Sequence, residues 1–126
     1  MYKKTLAITA FFGALAVIFG ALGAHALKDK MSPGDLVNYK TAVFYQIIHV
    51  LAILAINTFT QLSYRTKIMV SHLFLTGIVL FSGSIYLISL GLVNAKSIWW
   101  VTPLGGLFFI IGWLVLTAGF LKSSDN

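Results

Sequence analysis

The sequence predicts an all-α membrane protein: four antiparallel transmembrane helices in a compact bundle, forming one domain over residues 1–126. Three observations carry that prediction. First, the 126 residues are 59% hydrophobic and 10% charged, with mean hydropathy +0.93. A soluble domain carries about 25% charged residues, so this chain lacks the polar groups to cover a water-facing surface. Second, four apolar runs are separated by three short polar links. Third, the second run carries a polar stripe. Inside lipid such a stripe has to face other helices or a cavity.

The first run is Thr5 to Leu27. At 1.5 Å per residue it is long enough for a hydrocarbon core of roughly 30 Å. Lys3 and Lys4 precede it, and Ala24-His25-Ala26 resembles a signal-peptidase site. The apolar run is longer than a signal peptide's core of about 7–15 residues, so an uncleaved first span is expected. Gly13 and Gly20 are seven apart, as are Ala16 and Gly23. Small residues at such spacing let helix backbones approach closely in lipid. His25 falls at the end of the run, where headgroups and water reach it.

The polar link KDKMSPGD follows. Ser32 suits an N-cap, Pro33 the first helical position, and Asp35 the positive helix end. The second helix is therefore expected over Pro33–Thr60, with its first turns at the interface and Lys40 snorkelling outward. Tyr39, Ala42, Gln46 and His49 share one of its faces, and Tyr45 lies one turn before His49.

QLSYRTK, Gln61 to Lys67, reads as a short turn between antiparallel neighbours. The third span is expected over Ile68–Leu90. His72 lies near its start, Ser84 and Tyr86 near its end, and Gly77, Ser84 and Gly91 recur every seven residues. Gly91 suits a helix C-terminus. Trp99 and Trp100 suit an aromatic belt at headgroup level. Thr102-Pro103 repeats the cap pattern, so the fourth span is expected over Pro103–Leu121. Gly105, Gly112 and Gly119 form a heptad stripe along it, which favours left-handed packing at about +20°.

Antiparallel order then sets depth. His25, Tyr39, Tyr45, Gln46, His49, Ser84 and Tyr86 fall in one half of the bundle and form the candidate polar cluster. It is either a set of mutual hydrogen bonds that fix helix register or the lining of a pocket or proton route. His49 is expected to face inward, bonded to the hydroxyl of Ser84 or Tyr86, with Tyr45 a third option. A metal or haem is not expected. The three histidines lie at three depths, the chain has no Cys and no Glu, and Asp29, Asp35 and Asp125 all sit in links or tail. Hydrolysis through Ser84 and His49 lacks a third group. No phosphate-cradling glycine motif is present, so neither a cofactor nor a reaction is expected. The formal charge of +6 is scattered through the links rather than gathered in a stripe, which argues against a nucleic-acid partner.

GALGAHAL (Gly20 to Leu27), YKTAVFYQIIHVLAIL (Tyr39 to Leu54), FSGSIYLISL (Phe81 to Leu90) and TPLGGLFFIIGWL (Thr102 to Leu114) resemble, in this order, domain-of-unknown-function family 423. That family is also called uncharacterised protein family 0382, and its animal relatives are called transmembrane protein 256. The resemblance implies a small multi-span protein, in bacteria of the cytoplasmic membrane. It implies no reaction, substrate or catalytic residue.

The expected role is non-enzymatic: a membrane protein that binds lipid or a membrane partner. The alternative is a small transporter or channel-like protein with a polar route past His49. A homo-oligomer is expected, joined through the Gly13–Gly20 face or the Gly105–Gly112–Gly119 face. Lys3, Lys4, Arg65, Lys67 and Lys122 lie on the terminal side, against Lys28, Lys30, Lys40 and Lys96 opposite. That slight excess favours cytoplasmic termini.

Overall fold

The computed structural model describes residues 2–123. Four helices account for most of them: α1 (Tyr2–Ala24), α2 (Pro33–Ile56), α3 (Tyr64–Ser89) and α4 (Val101–Ser123). Each is 23 to 26 residues long and apolar enough to cross a membrane. At 1.5 Å per residue that is about 35 Å or more. Helices α2 and α3 form the centre. Helix α1 packs mainly on α2, and α4 mainly on α3. The outer pair, α1 and α4, therefore leave most of their surface to lipid. Phe11, Val17, Ile110 and Leu114 are among the large apolar side chains exposed there.

The helix ends differ from expectation in ways that local chemistry explains. Helix α1 starts at Tyr2 rather than Thr5 and stops at Ala24 rather than Leu27. Beyond Ala24 the Leu27 N–H reaches back to the Leu22 carbonyl, which winds the chain out of the helix. Ser32 caps α2 as expected, its Oγ accepting from the Asp35 N–H at 3.1 Å. The same helix ends at Ile56 rather than Thr60. The Asn57 side chain donates to the Ile53 carbonyl and the Thr58 hydroxyl to the Ala55 carbonyl, taking over acceptors at the helix end. Ser63 caps the Thr66 N–H, so α3 begins at Tyr64 and the polar segment Tyr64–Lys67 is its first turn rather than a link. Helix α4 begins at Val101, so Thr102 is no N-cap. Pro103 falls in the first turn, where no N–H is needed.

Gly91 closes α3 as predicted, with φ +71°. Its N–H bonds the Ile88 carbonyl and the Leu92 N–H bonds the Leu87 carbonyl, the paired bonds of a Schellman cap. Trp99 and Trp100 are exposed at this end, as a headgroup belt requires.

Helix α3 contains a π-helical stretch, Ile78–Ser82. There the Ser82 hydroxyl donates to the Ala42 carbonyl of α2 at 2.7 Å. Against the same stretch lies Gly105, where an added Cβ would run into the Phe81 backbone.

The other glycines receive rings and side chains from within the chain. Gly23 lies under Tyr39, Gly77 under Phe109, Gly112 under Phe74, and Gly119 against Thr66. Gly13 and Gly20 face Val50 and Val43 of α2. The two glycine faces expected at a subunit contact are thus the faces that hold α1 to α2 and α4 to α3.

Candidate functional site

The face predicted for α2 is the buried one: Tyr39, Ala42, Gln46 and His49 are all buried. Three-four spacing brings them under one another, and α1, α3 and α4 close over them. From this stripe two hydrogen-bonded groups extend in opposite directions.

The first group ties α1, α2 and α3. The Tyr39 hydroxyl donates to the Phe19 carbonyl at 2.6 Å. Gln46 donates through Nε2 to the Phe12 carbonyl at 2.8 Å and accepts through Oε1 from the Tyr86 hydroxyl at 2.6 Å. The Tyr39 and Tyr86 rings lie 5.2 Å apart, and Phe19 packs on Tyr86 at 4.8 Å. A buried amide with both ends engaged fixes the relative heights of three helices.

The second group centres on His49. Its Nδ1 is 2.7 Å from the Tyr45 carbonyl, and the Trp113 indole N–H of α4 points at its Nε2, 3.1 Å away. An indole can only donate and a carbonyl only accept. The ring that satisfies both is neutral, with its proton on Nδ1. Phe109 stacks on the imidazole at 3.7 Å, and Phe74 meets it edge-on at 4.9 Å. The ring is 3% exposed.

Several expectations change here. His49 does face inward, but neither Ser84 nor Tyr86 is its partner. Tyr86 bonds Gln46, and Ser84 bonds the Thr102 hydroxyl and the Phe81 carbonyl. The π stretch is the physical reason. One residue of extra winding turns every later side chain of α3 by a step of about 100°. His25 does not join the cluster: it lies exposed in the turn after α1. Tyr45 contributes its carbonyl, while its half-exposed ring packs on Phe81 at 4.8 Å.

The sequence reading missed Trp113, Thr102 and Ser82 as partners. A signal existed for Trp113. An indole N–H in the middle of an apolar span needs an acceptor. Among the described residues, no three histidine or acidic side chains come close enough to hold a metal ion.

On the outer side of the Tyr39–Tyr86 pair lies a groove of about 630 Å³, walled by α1, α3 and the link before α4. Phe19, Leu22, Val79, Leu87 and Leu90 supply most of its wall. Its hydroxyls, on Tyr39, Tyr86 and Ser84, are all bonded to protein groups, so its surface acts as an apolar one.

Residues 19–106 match the family described as "Protein of unknown function (DUF423)". The chain is 38% identical to the UPF0382 membrane protein SSP2132 of Staphylococcus saprophyticus, over 95% of this chain and 98% of the relative. It is 36% identical to a UPF0382 membrane protein of Haemophilus influenzae, over 99% of each chain. With the UPF0382 inner membrane protein YgdD of Escherichia coli K12 the identity is 35%, over 93% and 88%. No solved structure matches the chain.

Proposed function

We propose, from the premise that this chain belongs to the DUF423 (UPF0382) family of membrane proteins, that it binds a membrane lipid, holding an acyl chain in the groove between α1 and α3. The role is non-enzymatic, and the polar cluster behind the groove is structural. The observation that carries this reading is the groove itself. It is large and apolar, and its polar atoms are already engaged. What surrounds a spanning helix is hydrocarbon, so an apolar recess on its flank is filled by acyl chain. Leu87 projects from the groove wall and is 41% exposed. Leu87→Trp narrows the recess without touching the core. In mild detergent, native mass spectrometry should find less co-purified phospholipid on that variant than on the parent, at equal helix content. Equal lipid on both would refute the reading.

No observation favours a transport route past His49: the ring is closed in by Phe74, Phe109 and Trp113. The chain acts as one transmembrane domain in the bacterial cytoplasmic membrane, with cytoplasmic termini and no nucleic-acid partner. A homo-oligomer closes through the outer faces of α1 or α4, because the glycine stripes serve contacts within the chain.

A further inference from the structure

A second cleft lies at the other end of the bundle, where α3 begins and α4 ends. It has a volume of about 460 Å³. Arg65 of α3 and Lys122 of α4 line it at the surface, both exposed. Deeper, its wall becomes apolar: Met69 on α3, and Ala118 and Val115 on α4. The antiparallel helices impose this order. Met69 is four residues inward from Arg65, and Val115 is seven inward from Lys122. At 1.5 Å per residue these depths are about 6 and 10 Å. Gly119 lets α4 lie close against Thr66 of α3 at this end, since an added Cβ would meet Thr66 at 2.8 Å.

Neither cation has a counterion beside it among the described residues. The acidic side chains there, Asp29 and Asp35, sit in or beside the first link, at the opposite membrane surface. Two cations above an apolar floor match one kind of molecule in a bilayer: a phosphate at the surface with hydrocarbon below it. Arg is suited to grip phosphate oxygens in pairs, and Lys adds a point charge. A soluble anion would use the cations but not the floor.

We propose that this cleft is a binding site for an anionic phospholipid, its phosphate between Arg65 and Lys122 and the upper part of one chain against Met69, Val115 and Ala118. It is distinct from the groove between α1 and α3 and opens to the other leaflet.

The test compares phosphatidylglycerol with phosphatidylcholine of identical chains, titrated onto the detergent-purified protein and read by native mass spectrometry. Phosphatidylglycerol is expected to bind more tightly by on the order of tenfold, less at high salt. Arg65→Gln with Lys122→Gln should erase that preference and leave phosphatidylcholine binding unchanged. Lys28→Gln with Lys30→Gln, at the opposite surface, should leave the preference intact. Ala118→Phe, which fills the floor at an exposed position, should weaken phosphatidylglycerol binding although both cations remain. Leu87→Trp in the groove should not alter the preference, so this site and the groove fail separately. The proposal is overturned if the preference survives Arg65→Gln with Lys122→Gln, or falls equally in the Lys28 and Lys30 pair. It is also overturned if Ala118→Phe binds like the parent, or if glycerol phosphate alone displaces phosphatidylglycerol at equal concentration, which would mark a soluble-anion site.

Discussion

Replacing Trp113 with Phe removes the indole N–H together with part of the bicyclic ring, and the structure says what losing that donor costs. Trp113 donates to His49 Nε2 at 3.1 Å, while the His49 Nδ1 side stays on the Tyr45 carbonyl. Losing the donor leaves a 3% exposed ring nitrogen with no partner. A hydrogen bond between membrane helices contributes about 0.6 kcal/mol on average and up to about 1.7. A buried acceptor left unpaired costs about 1–3 kcal/mol. Trp113 is itself 43% exposed, so the smaller ring forfeits little packing. Trp113→Phe is therefore expected to destabilise by roughly 1–2 kcal/mol. His49→Phe leaves the indole N–H unpaired by the same logic. The double variant removes both polar groups, so its loss should be smaller than the sum of the two singles by about 0.6–1.7 kcal/mol. Reversible unfolding in mixed micelles measures all four proteins. Additive losses, with coupling inside about 0.3 kcal/mol of zero, would refute the pairing.

Further outcomes follow from other parts of the structure. Gly105→Ala should prevent native packing of α3 on α4, because the added Cβ meets the Phe81 backbone, which cannot step aside; thermal unfolding and protease resistance would show it. Gly83→Ala is the control: nothing lies within 4 Å of its Cβ, so stability should hold or rise by about 0.5–1 kcal/mol. Tyr86→Phe strips the donor from Gln46 Oε1 and should cost about 1 kcal/mol, whereas His49→Ala, which also empties the space between Phe74 and Phe109, should cost more than His49→Gln. Single cysteines at positions 63 and 123 should be labelled from the same side of the membrane, since α3 starts where α4 ends; opposite labelling would break the four-span topology.

The parts of this fold that local chemistry decides were legible in the sequence. Ser32, Pro33 and Asp35 mark a helix start by cap geometry alone, and Gly91 marks a helix stop by its positive φ. The buried face of α2 followed from the spacing of Tyr39, Gln46 and His49 because polar side chains turn away from lipid. Depth followed from antiparallel order, which correctly placed Gln46 and Tyr86 in the same half of the bundle. Rotation about a helix axis was not legible. It depends on the π stretch at Ile78–Ser82, which packs on Gly105 and bonds the Ala42 carbonyl, residues remote in sequence. That one irregularity sends Ser84 to Thr102 and leaves His49 to Trp113. The glycine stripes showed that close contacts occur but not with what. Gly23 and Gly112 could have faced another subunit's backbone and instead receive Tyr39 and Phe74. The groove was beyond the sequence altogether, since its walls come from α1, α3 and a link that no local pattern connects.

The central claim is that an acyl chain occupies the recess beside Tyr39 and Tyr86. A phospholipid carrying a photoreactive diazirine within its acyl chain tests it most directly, with the sites of attachment mapped by peptide mass spectrometry after reconstitution. The account predicts attachment concentrated on Leu22, Leu87 and Leu90, and its loss from Leu22 and Leu90 in Leu87→Trp, which narrows the recess. Attachment spread evenly over Val17, Ile110 and Leu114, the outward faces of α1 and α4, would contradict it.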